Sequence, residues 1–210
     1  MKSKALNNAG ADISLRERKK LATRQALSSA ALRLAVERGL NHLRVEDIAE
    51  AADVSPRTFN NYFANKYEAI CYSGIDRTKQ IGATLRDQPV GKPLWNAVTD
   101  SVLQQFAGTD EVPSRDWMAS LHLVLSSAEL QGEYLKVTAA MRESLAEAVA
   151  DRINTDLEQD MFPRILAGVV IAASQAAIVQ WYKADPPTPL LPLVRSALEQ
   201  LATICSCSTP

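Results

Sequence analysis

Hydrophobic and polar positions follow the period of the α-helix almost from end to end of this chain, and no stretch alternates with a strand's period of two. The densest pattern lies between Val45 and Lys66. Val45, Ile48, Ala49 and Ala52 fall at i, i+3, i+4 and i+7, the stripe of one short helix. Asp53-Val54-Ser55 interrupts it. Ser55 followed by Pro56 is a helix start: a hydroxyl that caps free N–H groups, then a residue whose fixed φ suits the first helical position. Phe59 and Phe63 then lie one turn apart, while Arg57, Thr58, Asn60 and Asn61 fall off their stripe and Tyr62 lies at its edge. Two short helices, a tight turn and an outward row of hydrogen-bonding side chains predict a helix-turn-helix suited to base edges and phosphates.

Upstream, Leu21, Ala22 and Gln25 lead to Leu27, Ala30, Ala31, Leu34 and Ala35, which predicts a helix from Ser14 to Arg38 with one inward stripe. Ser14 with Glu17 three residues on reads as a capping box, and Gly39 suits the helix end. Downstream, Tyr67, Ile70, Cys71, Ile75, Thr78, Ile81 and Leu85 predict a fourth helix. Residues 87–93, with two prolines and a glycine, are the clearest break. Helical spacing then resumes to residue 204, interrupted most clearly at 108–113 and 185–189. The predicted fold class is all-α, with about nine helices.

Charge sharpens the picture once the chain is divided. Residues 1–88 hold 15 Lys/Arg against 10 Asp/Glu, and residues 89–210 hold 8 against 14, giving +5 and −6 within a total of −1. The basic excess sits in the half with the helix-turn-helix, as a phosphate-binding face requires. Arg16, Arg18, Lys19, Lys20 and Arg24 crowd the start of the first helix, against its dipole, so an anionic partner there would relieve them. Three cysteines give no disulfide framework; Cys71 reads as core, and Cys205 with Cys207 as part of a polar tail. No signal-peptide pattern is present, and the most apolar run, Ile165 to Val179, is short of a membrane span, so a cytoplasmic protein with no membrane partner is expected. Neither His42 nor His122 has a catalytic partner in the pattern, and no phosphate loop, dinucleotide fingerprint or metal-ligand spacing occurs. No enzyme, cofactor or metal site is predicted.

The run from about Arg18 to Leu85 resembles the DNA-binding half of TetR-type transcriptional regulators. The matching residues are Gly39, the Val45-Glu-Asp-Ile-Ala49 start, Ala52-Asp-Val-Ser55, and Thr58-Phe59, Tyr62-Phe63 and Lys66. Arg44 stands where the family usually has Thr, Asp53 where Gly is usual and Asn60 where Tyr is commonest. The resemblance and the polar face together give a DNA-contacting set of Arg44, Val45, Ser55, Pro56, Arg57, Thr58, Asn60, Asn61, Tyr62 and Lys66. They also imply a flexible arm over 1–14, a DNA-binding domain over 15–65, a connecting helix over 66–86 and a helical ligand-binding and dimerisation domain over 87–205.

Within that second half, the helix over 162–184 is apolar nearly all round and rich in small residues, so both its faces need covering. Phe162, Val169, Ala173, Leu191, Val194, Leu198 and Leu201 are the expected homodimer interface; the alternative is an ordinary core helix. Candidate pocket residues are Trp95, Phe106, Trp117, Met118, His122, Leu125, Tyr134, Met141 and Gln175. The segment Leu125 to Leu130 followed by Tyr134 resembles a C-terminal domain common among actinobacterial members of the family, some of which sense fatty acyl or acyl-CoA molecules. The expected function is a ligand-responsive repressor that binds double-stranded DNA as a homodimer and answers to a small, largely apolar effector. A helical interaction protein that has lost operator binding is the alternative.

Overall fold

The computed structural model describes residues 15–107, 115–185 and 188–206, and within them leaves aside the side chains of 73–79, 115–118, 120 and 204–206. The expected N-terminal arm, the Ser14 cap and Cys207 lie outside the described residues, as do the side chains of Ile75, Thr78 and Cys205. The described residues form nine α-helices and one 3-10 turn: α1 Leu15–Arg38, the turn Leu40–His42, α2 Val45–Ala51, α3 Pro56–Asn60, α4 Lys66–Arg86, α5 Leu94–Gln104, α6 Arg115–Ser126, α7 Ala128–Ile153, α8 Phe162–Tyr182 and α9 Leu190–Ser206. The all-α expectation holds.

Two hydrophobic cores organise them. The N-terminal core gathers Leu27, Ala31 and Leu34 of α1, Ile48 and Ala49 of α2, Phe59 of α3 with Phe63 beyond it, and Ile70 of α4. The C-terminal core gathers Ile81 and Leu85 of α4, Val98 and Val102 of α5, Leu145 and Val149 of α7, Val170 and Trp181 of α8, and Val194 and Leu198 of α9. Two long helices belong to both. α4 leaves Ile70 in one core and Ile81 in the other, and α7 does the same with Leu130 and Leu145. An ion pair of 2.8 Å between Arg86 and Asp151 fixes their far ends. Arg152 folds the 88–92 connector back onto α7 by donating to the carbonyl oxygens of Gln88, Pro89 and Lys92.

The inward stripe of α1 begins later than its spacing predicts. Leu21, Ala22 and Gln25 are exposed, and burial starts at Leu27, so the first turns of α1 project beyond the core with Arg16, Arg18, Lys19 and Lys20 exposed on them. On α7, Leu135 is likewise exposed although its spacing suggests an inner position. The 21-residue α8 is, by length and composition, apolar enough to cross a membrane, contrary to expectation. Its buried face, including Leu166, Ala167, Val170, Ile171 and Trp181, is instead part of the C-terminal core.

Candidate nucleic-acid interface and effector cavity

α3 is only five residues long, so tertiary contacts must hold it. Phe59 and Phe63 are fully buried with ring centroids 5.7 Å apart, and Phe63 meets Tyr72 of α4 edge-on at 5.5 Å. The Arg24 guanidinium lies over both Phe63 and Tyr72, at 5.2 and 4.5 Å from their centroids, and pairs with Glu68 at 3.8 Å. Ser55 caps α3 by accepting from the Thr58 N–H at 3.1 Å, and the two hydroxyls share a hydrogen bond of 2.9 Å. The turn before it passes through Asp53, whose φ of 54° is left-handed, the place where the family usually has glycine.

With the phenylalanines inward, Ser55, Pro56, Arg57, Asn60 and Asn61 are exposed, and Thr58, Tyr62 and Val45 are half-buried. Arg44, at the start of α2, is exposed; its backbone N–H donates to the Asp47 carboxylate at 3.0 Å. The Asp47 carboxylate also pairs with Arg38 at 3.5 Å, which leaves the Arg44 guanidinium without a partner among the described residues. The predicted DNA-contacting residues are therefore exposed or half-buried, and Lys66 is set apart from the rest by what its ammonium touches. Lys66 is half-buried and donates to the carbonyl oxygens of Leu40 at 2.6 Å and Leu43 at 3.0 Å. Its ammonium closes the end of the 3-10 turn, so the structure makes Lys66 a tether between α4 and the turn rather than an open phosphate ligand.

A cavity of about 400 Å³ lies between the two cores. Leu32 of α1 and Ile70 and Cys71 of α4 line its N-terminal side; Val102, Gln105 and Phe106, and Ile171, Ser174, Gln175 and Ile178, line the other, with Tyr134, Val137, Thr138 and Met141 of α7 between. Of the predicted pocket residues, Phe106, Tyr134, Met141 and Gln175 are here. Trp95 is not; it packs against the C-terminal core. His122 is exposed and hydrogen-bonds through Nδ1 to the Tyr182 hydroxyl, away from the cavity, and Leu125 is half-buried without reaching it. The side chains of Trp117 and Met118 lie outside the described residues. Sequence reasoning missed Gln105, Thr138 and Ser174. Their signal was a polar residue on an otherwise inward apolar stripe. Burial pushes the Cys71 thiol up to about 11, helped by the nearby negative charge of Glu133.

The outer face of α8 is apolar and uncovered. Phe162, Ile165, Val169, Ala172, Ala176 and Val179 are all exposed, at steps of three and four. Phe162 and Val169 are thus where an interface needs them, and Ala173, Leu191 and Leu201 are half-buried at its margin. Val194 and Leu198 are not available to a partner: at 0% and 2% exposure they belong to the protomer's own core, because α9 turns that stripe onto α8 and α5.

Residues 27–68 match the family described as bacterial regulatory proteins, tetR family, and residues 92–206 match the MftR C-terminal domain. The HTH-type transcriptional regulator TcmR of Streptomyces glaucescens is 35% identical over 199 residues, covering 89% of this chain and 86% of that protein. Among solved structures, a triclosan complex of SmeT, the repressor of the Stenotrophomonas maltophilia multidrug efflux pump SmeDEF, has a TM-score of 0.61 at 16% identity, over 87% of this chain and 91% of that one. The fatty acid degradation regulator FadR from Bacillus halodurans has a TM-score of 0.56 at 18% identity, over 85% and 94%. These structural likenesses are likenesses of fold. With both halves matched by family models and a relative above 30% identity along most of its length, the chain belongs to the TetR family of helix-turn-helix proteins, DNA-binding transcriptional regulators and not enzymes.

Proposed function

We propose that this regulator is a cytoplasmic repressor that grips a palindromic operator as a homodimer and lets go when a small apolar molecule fills the cavity between its cores. The observation that carries the reading is the composition of the cavity wall. Leu32, Ile70 and Cys71 sit on the helices that hold α3, and they face the same space as Phe106 and Ile171 of the C-terminal half. A molecule lodged there touches the support of the recognition helix directly. The uncovered face of α8 supports the homodimer, since a second copy would bury Phe162, Ile165 and Val169 and present paired α3 helices to half-sites about 34–36 Å apart.

An effector that prefers the wrong spacing by about 1–3 kcal/mol would lower operator affinity roughly 5- to 150-fold, and operator would lower effector affinity by the same factor. Among the described residues no basic side chain lines the cavity, so the phosphates of an acyl-CoA would have no counter-charge inside it. The test is selection of genomic fragments with the purified protein, followed by titration of the selected and scrambled duplexes at several salt concentrations. A palindromic site bound by one dimer is the expected result. Equal affinity for both duplexes would overturn the reading and leave a helical protein that does not read sequence.

A further inference from the structure

The end of α3 is held from two sides, and one side chain is common to both. Phe63 follows α3 directly, its backbone N–H donating to the Phe59 carbonyl at 3.0 Å. Its ring is buried against the edge-on ring of Tyr72 of α4, and the Arg24 guanidinium of α1 lies over both, at 5.2 and 4.5 Å. The next residue is fixed through Glu68 of α4. One carboxylate oxygen of Glu68 accepts the Ala64 N–H at 2.8 Å, and the other faces Arg24 at 3.8 Å. Arg24 thus reaches Phe63 directly and Ala64 through Glu68.

This placement does not suit a phosphate ligand. The Arg24 side chain is 29% exposed and its charge is already met by Glu68, whereas Arg16, Arg18, Lys19 and Lys20 of the same helix are open to solvent. Its Nε is buried with no hydrogen-bond partner among the described residues, so the guanidinium keeps to the rings although a donor is left unpaired. Arginine fits here as lysine does not. Its planar cation can stack on aromatic rings while pairing with a carboxylate, and the lysine ammonium is a compact, strongly hydrated point charge. A helix of five residues cannot fix its own direction. Asn60 and Asn61, exposed at its end, stand just before Phe63 and move with it.

From these contacts we infer that Arg24 is a positioning residue for sequence readout, setting the lie of the α3 end against DNA without touching DNA itself. The inference rests on α3 being the element that reads bases. The test titrates selected operator and a scrambled duplex at several salt concentrations, at a temperature where circular dichroism shows each protein folded. Attraction to phosphates tolerates a small turn of α3, and bidentate base contacts do not. Arg24→Met should therefore lower the ratio of operator to scrambled-duplex affinity about ten-fold, with scrambled-duplex affinity and salt slope unchanged. Should that variant fail to fold, Arg24→Lys, which keeps the charge and loses the plane, decides by the same criteria with a smaller fall expected. A ratio at the wild-type level would reduce Arg24 to a structural residue, and a loss of about one unit of salt slope would make it a phosphate ligand. Either result overturns the inference. Arg57→Ala and Asn61→Ala in the same titrations test the underlying reading separately. A ratio lowered in either of them but not by the change at Arg24 refutes the inference alone; a ratio unchanged in both refutes base reading by α3, and the inference with it.

Discussion

A Cβ added to Gly82 of α4 would stand 2.6 Å from Oγ of Ser144 on α7 and 2.8 Å from the Ser144 carbonyl oxygen. The hydroxyl can rotate away, but the carbonyl belongs to the backbone of a long helix. Gly82→Ala should therefore push α4 off α7 and destabilise the protein by about 1–3 kcal/mol, read as a lower midpoint in thermal or urea unfolding. Adding Ser144→Ala should recover only part of the loss, because the carbonyl remains. A Gly82→Ala protein as stable as wild type would show that the two helices are not this close.

Arg44 and Lys66 should separate cleanly. Arg44→Ala removes a free exposed guanidinium, so binding to all duplexes should weaken alike and the salt dependence should lose about one unit of slope. Lys66→Met takes the donor from the carbonyls of Leu40 and Leu43, and should cost about 1–3 kcal/mol of stability while leaving that slope unchanged. A shallower slope in Lys66→Met would return this residue to the phosphate-contacting set.

Base reading is expected from the exposed polar face of α3 and its end. Arg57→Ala and Asn61→Ala should each lower the ratio of operator to random-duplex affinity, by about 1–3 kcal/mol for a bidentate contact. Competition titrations measure the ratio directly, and a ratio unchanged in both variants would place sequence readout elsewhere.

On the outer face of α8, Ile165 is 54% exposed in the protomer. Ile165→Glu should thus leave the fold intact, yet in a homodimer it would bury an unpaired charge. Sedimentation should give a helical monomer with reduced operator affinity, against a wild-type dimer. Wild-type protein that sediments as a monomer at micromolar concentration would end the homodimer reading. Val194→Glu is a different experiment, since Val194 is fully buried within the protomer and the change should unfold it.

Cys71 predicts a pH dependence. Its thiol is raised from the ordinary value of 9.0 to about 11, mainly by burial, so the folded state holds the proton more tightly than the unfolded state. The resulting stabilisation is fully present below pH 9.0 and is lost as the pH rises towards about 11. Comparing urea unfolding of wild type and Cys71→Ala across this window isolates the effect: their stability difference should shrink at high pH. A constant difference would contradict the raised thiol.

The helix-turn-helix was readable in the sequence because its signals are local: Ser55-Pro56 starts a helix, and Phe59 and Phe63 are one turn apart. The cavity was not, because its wall is drawn from α1, α4, α5, α6, α7, α8 and the start of α9, and periodicity cannot say which inward residues face a gap. Phe106 lines it while Trp95, eleven residues earlier, packs into the core. His122 was drawn elsewhere by Tyr182, a partner sixty residues away. Around α8 the pattern failed for another reason. A helix apolar all round does not reveal which side meets its own chain, so Val194 and Leu198 were assigned to a partner when they close the protomer's core.

Leu130 and Val137 of α7 lie in the same core as Phe59 and Ile48, across the chain's clearest break at residues 87–93. The segment that carries the recognition helix consequently lacks two of its own keystones until the rest of the polypeptide has folded over it. Excised, or grafted onto the C-terminal half of another regulator, it would keep every residue of its DNA-facing surface and still miss part of its interior. Modularity in this protein is a property of its surfaces and stops at its interior.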